Sequence, residues 1–107
     1  MSMACRGIRG ATTAYSNTKD AIVSATKELL QQLIDANNID QYYVASVFFT
    51  TTSDLNSEFP AVAARQMGWN DVALLCGHEM TVPDSLPRCI RILILVNTSS
   101  EPHELVH

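Results

Sequence analysis

Residues 88–97, RCIRILILVN, decide how the chain folds. Read as a strand, alternate side chains point to opposite faces. Ile90, Ile92, Ile94 and Val96 share one face; Cys89, Arg91, Leu93 and Leu95 share the other. Both faces are apolar, which predicts a central strand covered on both sides. Arg91 sits inside that run, and a guanidinium cannot shed its proton to escape burial. It therefore requires an anionic partner. Two are open: a carboxylate of the protein, or an anionic ligand.

Upstream, residues 76–87 read CGHEMTVPDSLP. They supply one carboxylate, Glu79, and a Pro-bounded excursion in which a helical turn is expected at 83–87. Residues 72–76, VALLC, read as a short strand before it. SEFPAVAARQMGW at 57–69 contains a short helix, with Pro60 suited to its first position and Gly68 to the position after its end. YYVASVFFTTT at 42–52 is rich in aromatic and β-branched residues and reads as a strand.

The clearest helix spans 18–36. Asn17 or Thr18 can cap it, and Asp20 falls in its first turn. Ile22, Thr26, Leu29, Leu33 and Ile34 recur at helical spacing, and Asn37 and Asn38 suit its end. At the start, ACRGIRGATT (4–13) reads as a strand in which Gly7 and Gly10 permit close approach of a backbone or ligand. The tail SSEPHELVH begins a turn or helix. The element order is β, long α, β, short α, β, β. It predicts an α/β or α+β sheet with helices on one face.

Composition narrows the function. With 107 residues the chain fits one domain, and a formal net charge of −4 argues against a non-specific nucleic-acid binder. Charged residues are only 17% of the chain, so two-sided apolar strands in so small a domain predict a homo-oligomer that covers the excess. No stretch approaches the ~20 apolar residues of a membrane span. Cys5, Cys76 and Cys89 form no CxxC pair and no signal peptide is visible, which points to reduced thiols in the cytoplasm. Lys19 and Lys27 apart, every basic residue is an arginine: Arg6, Arg9, Arg65, Arg88 and Arg91. Arginines in glycine-rich or apolar settings suit a pocket for a small anion.

The machinery of hydrolysis and group transfer is missing. There is no phosphate loop, no nucleophile elbow and no dinucleotide fingerprint. His78, His103 and His107 lack metal-ligand spacing with the cysteines, and the last two are expected to be solvated in the tail. Cys76 has no evident base. Arginines, Glu79 and apolar walls remain. That set suits binding a dianionic organic molecule and stabilising charge separation within it, with no metal, base or cofactor.

RGIRGATT (6–13), FPAVAARQMGW (59–69) and the C-x-x-E at 76–79 followed by LPRCIR (86–91) resemble the small trimeric α/β class of chorismate mutase, the AroH type. The likeness covers nearly the whole chain. It implies a trimeric pseudo-α/β barrel with sites in clefts between subunits, and conversion of chorismate to prephenate without a cofactor. By that likeness Arg91 binds the enolpyruvyl carboxylate and the ether oxygen, and Arg9 holds the same carboxylate. Glu79, with the backbone of Cys76, takes the ring hydroxyl. Phe59, Ala61, Val62, Leu74 and Leu75 form a wall from the adjacent subunit, and Arg65 lies at the mouth by the ring carboxylate.

Two departures accompany the resemblance. Val62 stands where some relatives carry Lys, so a cation is missing at the rim. The family also has an H-V-Y-L segment whose tyrosine touches the substrate carboxylate. The expectation is a single domain over 1–107 in which that tail is not seen; if the protein truly lacks it, folding and trimerisation are expected to survive and binding to weaken. Two rivals share part of the pattern: a YjgF-like trimeric enamine/imine deaminase, and a regulatory module that binds an amino acid. The combination of Arg9, Glu79 and Arg91 speaks against the deaminase.

Overall fold

The computed structural model describes residues 2–107. The elements are β1 (Ala4–Thr13), α1 (Lys19–Asn37), β2 (Val44–Thr51), α2 (Ala61–Gln66), β3 (Ala73–His78) and β4 (Cys89–Thr98), with single 3-10 turns at Gln41–Tyr43 and Pro102–Glu104. The strands form one mixed sheet in the order β1-β4-β2-β3. β4 runs antiparallel to both β1 and β2, while β2 and β3 are parallel. The RCIRILILVN stretch is thus an inner strand of a mixed α+β fold. No helix is long and apolar enough to cross a membrane.

Coverage of β4 is one-sided, against the expectation of burial on both faces. Ile90, Ile92, Ile94 and Val96 are at most 5% exposed. On the other face Cys89 is buried at the start of the strand, but Arg91 and Leu93 are exposed and Leu95 is half-buried. The reason is a shortage of helix. α1 packs on β1 and β4, and α2 fills in beside it over β3, so both lie on the same face. The Arg91 side chain keeps 50% of its exposure, so within this chain it is not a buried charge.

α1 follows its sequence signals. The Thr18 hydroxyl accepts from the Ala21 N–H at 3.2 Å, and Asn38 ends the helix in the left-handed conformation, φ 50°. Its buried stripe is Ala21, Ile22, Thr26, Leu29, Leu30 and Leu33. The mid-helix Thr26 hydroxyl is satisfied by the Ile22 carbonyl at 2.7 Å. Gly10 lets α1 approach the sheet, because a Cβ there would meet Leu29 Cδ1 at 3.0 Å and Leu33 Cδ2 at 3.2 Å.

β2 holds a bulge between Val44 and Ser46. Strict alternation from Val44 would turn Ser46 and Phe48 inward. The extra residue resets the phase, so Val47 and Phe49 enter the core and Phe48 reaches the open face. α2 ends before Gly68 at φ 91°, as the sequence predicts, and starts one residue later than expected, with Pro60 as the residue before its first position.

The helical turn expected at 83–87 does not form. Asp84 and Arg88 take positive φ, 66° and 49°, which no right-handed turn can contain. Two turns replace it, the first closed by the Ser85 N–H on the Val82 carbonyl at 3.2 Å. Asp54 secures the second. Its carboxylate oxygens accept from the Arg88 N–H at 2.9 and 3.2 Å, just before β4 begins.

Candidate active site

The open face of the sheet gathers the chain's charged chemistry. In the β1–β4 register Arg9 lies opposite Leu93 and Ala11 opposite Arg91. Arg9 and Arg91 are therefore diagonal neighbours on one face, within reach of a common ligand. On the other side of β4, Thr50 is the register partner of Arg91. Glu79 follows the last residue of β3, and its N–H extends the β2–β3 pairing by donating to the Thr51 carbonyl at 2.8 Å.

That placement fixes the Glu79 side chain. The Thr50 hydroxyl donates to Glu79 Oε1, and Arg91 Nη1 stands 3.7 Å from the same oxygen. This distance is an attraction without a hydrogen bond. The carboxylate is positioned by a neutral hydroxyl, and the guanidinium keeps its fork of donors available. Arg9, Glu79 and Arg91 border one cleft of about 590 Å³, whose apolar lining includes Phe48 and Leu93. Two guanidiniums against one carboxylate make it locally positive in a chain of formal net charge −4. Such a site attracts an anion and offers donors that need no reorganisation.

Phe59 and Cys76 do not join it. They line a second cleft of about 410 Å³, shared with Lys19, Glu58 and His78. Cys76 faces the helix side of the sheet, opposite Phe49. Burial pushes its thiol pKa up, while the Ala61 N–H and the charge of Arg65 oppose the shift. The thiol is accordingly neutral, a poor nucleophile. Arg65 itself is exposed on α2.

The remaining sequence candidates are scattered over the chain. Leu75 is 61% exposed on the open face, whereas Leu74 is half-buried against the core. Val62 is half-buried beside Lys19. Ala61 is 2% exposed and belongs to the hydrophobic core, so it can offer a ligand its backbone but not its side chain. The role expected of Cys76 beside Glu79 runs through its backbone, in the strand that leads to Glu79; its thiol points into the other cleft.

Sequence reasoning passed over Phe48, Thr50 and Leu93. Alternation in β4 places Leu93 beside Arg91, but the β2 bulge hides the phase of Phe48 and Thr50. His107 is exposed, as expected of the tail, yet it also borders the first cleft, and its Nδ1 accepts from the Arg9 N–H at 3.2 Å. Asn37 holds this tail in place through paired 2.8 Å hydrogen bonds with the Val106 backbone.

Three comparisons bear on this geometry. Residues 5–107 match the family model described as chorismate mutase type I. The chain is 50% identical over 103 residues to a protein named chorismate mutase AroH from Thermus thermophilus, covering 95% of this chain and 84% of that protein. It is 38% identical over 106 residues to the Bacillus subtilis protein of the same name, covering 98% and 84%. Among solved structures, a chorismate mutase from Clostridium thermocellum superposes with a TM-score of 0.94 at 44% identity, covering 95% of this chain and 91% of that one.

Proposed function

The chain belongs to the chorismate mutase type I family, and from that premise we propose that the Arg9–Glu79–Arg91 cleft is where it works. The enzyme converts chorismate to prephenate, an isomerisation that serves phenylalanine and tyrosine biosynthesis. The deaminase and amino-acid-binding readings gain no support from these relatives. The reaction is a 3,3-sigmatropic shift: one C–O bond breaks, one C–C bond forms, and no atom enters or leaves. The protein must hold a flexible dianion in its compact conformer and stabilise charge that separates within it.

The arginines meet both demands. Arg91 donates to the enolpyruvyl carboxylate and to the ether oxygen, which gains negative charge as its bond breaks. Arg9 grips the same carboxylate from the neighbouring strand. Glu79 takes the ring hydroxyl and faces the ring as it becomes electron-poor. A preorganised donor of this kind is worth about 3–4 kcal/mol in the transition state. The observation that carries the reading is the unspent fork of Arg91, 3.7 Å from Glu79 at the edge of an open cleft.

Most of the expected site lies outside the first cleft, which supports a homotrimer with sites between subunits. The open sheet face exposes Leu75 and Leu93, and the excursion after β3 exposes Met80, Val82 and Leu86. Burying them against a second copy would remove a large apolar surface from water. In that assembly the Phe59 wall of one copy, with Ala61, Val62, Leu74, Leu75 and Arg65, faces the arginines of the next. The three free cysteines fit a reducing, cytoplasmic setting.

The test follows the ultraviolet loss of chorismate with purified protein whose mass in solution is measured alongside. A trimer with turnover is expected. A monomer that is fully active would remove the shared-site reading, and intact chorismate would remove the site itself.

A further inference from the structure

Asn17 lies outside every cleft described above, yet it is the most heavily bonded side chain on the surface near the Phe59 wall. Its Oδ1 accepts from two successive main-chain donors, Asn56 N–H at 3.0 Å and Ser57 N–H at 3.2 Å. Its Nδ2 donates to Asn56 Oδ1 at 2.8 Å. Its own carbonyl accepts from the Ser57 hydroxyl at 2.9 Å. The two N–H donors settle which way the amide faces.

The clasp joins two segments of unequal stiffness. Asn17 precedes Thr18, the cap of the 19-residue helix α1, and so is tied to the most regular element of the fold. Across from it, residues 56–58 connect two anchors. Leu55, 1% exposed, is set in a core cluster with Ala14, Ala21, Ile22 and Ile90. Pro60, buried, begins α2. Phe59 stands between them with 67% of its surface exposed. With its ring mostly exposed, its place is inherited from its backbone, held on one side by the first turn of α2, where the Val62 N–H donates to the Phe59 carbonyl at 3.1 Å, and on the other by Asn17 at 56–57.

We infer that Asn17 is a positioning residue for the reaction: it clamps the 56–57 backbone and thereby fixes the Phe59 wall against which the substrate's compact conformer is pressed. This rests on the shared-site reading above. A wall held in advance costs nothing to order when the substrate binds, whereas a loose one must be frozen each time.

The test compares Asn17→Ala, Asn17→Asp and Phe59→Ala in the full-length protein, reading kcat, KM for chorismate and Tm. Asn17→Ala should raise KM by about three- to tenfold while kcat stays within about twofold, as for lost positioning that is not confined to the transition state. Asn17→Asp should restore KM, because its carboxylate still accepts from both N–H groups and the Asn56 amide can turn over to donate. A purely structural role would lower Tm without moving KM in the protein that remains folded. An unchanged KM in Asn17→Ala, with KM raised in Phe59→Ala, overturns the inference alone; an unchanged KM in Phe59→Ala overturns the wall reading beneath it. If Asn17→Ala fails to fold, Asn17→Ser takes its place, because a side chain one bond shorter loses the paired contact with the Asn56 and Ser57 N–H groups, and the same KM criterion decides.

Discussion

Arg91 and Glu79 face each other at 3.7 Å, Nη1 to Oε1, with the carboxylate already engaged by the Thr50 hydroxyl. Had the two closed into a bidentate pair, the guanidinium would have spent its planar fork on the protein. Held apart, it can donate to an incoming carboxylate and to an oxygen that becomes charged only during the reaction. Replacing Arg91 with Lys keeps the charge and removes the fork. Turnover should fall by at least ~100-fold, with a smaller change in stability. Steady-state kinetics at saturating chorismate check this, and a near-normal kcat would remove Arg91 from its role.

Glu79→Gln separates charge from shape. The Gln carbonyl can still accept from Thr50, so the side chain should stay in place. What disappears is the negative charge beside the ring. A kcat lowered by about 10–100-fold with KM little changed is expected if that charge stabilises the transition state. A change confined to KM would assign Glu79 to ground-state binding instead.

A site shared between copies predicts rescue by mixing. Arg91→Ala destroys the fork and leaves the wall. Phe59→Asp sets a negative charge on the wall and leaves the fork. Each alone should be nearly inactive. In a 1:1 mixture, unfolded and refolded together, about a quarter of the sites pair an intact fork with an intact wall. Recovery of about a quarter of wild-type activity is therefore expected, and no recovery would place fork and wall in the same protomer.

The sequence showed the inner strand, the capped helix, Pro60 before α2 and Gly68 after it, because each is written in local alternation or backbone chemistry. It also paired Arg9, Glu79 and Arg91 as candidates, and the sheet register brings them to one cleft. Two kinds of information were not local. The bulge in β2 inverts the phase of Phe48, which alternation alone assigns to the wrong side. The second face of β4 reads as buried because its residues are apolar, yet one protomer has no element left to cover it. An apolar strand face read from sequence does not say whether an element of the same chain covers it.

Gly10 is a packing requirement with a cost that can be measured. A methyl group there meets Leu29 at 3.0 Å and Leu33 at 3.2–3.3 Å, so both leucines must shift or α1 must lift from β1. Gly10→Ala should destabilise the fold by about 1–3 kcal/mol. Urea unfolding should show a lower midpoint at an unchanged slope. Arg9 and Ala11 flank this position at the cleft, so a lifted helix should also raise KM.

Asp54 gives a pH prediction with a defined sign. Its carboxyl is held below the ordinary value of 3.8, chiefly by the Thr52 hydroxyl and then by the Arg88 N–H. A carboxyl whose folded pKa is depressed binds fewer protons folded than unfolded. Its contribution is therefore complete above about pH 4 and is lost as pH falls through the lower folded value. Asn at this position still accepts one hydrogen bond from Arg88 but does not titrate. Asp54→Asn should lower the urea midpoint at pH 7, and the gap from wild type should narrow by pH 3. Because Asp54 secures the positive-φ Arg88 that leads into β4, the variant should also disturb the strand three residues before Arg91, visible as a loss of kcat at pH 7. A gap that stays constant from pH 7 to pH 3 would show that the carboxylate's charge contributes nothing, and that shape alone holds the turn.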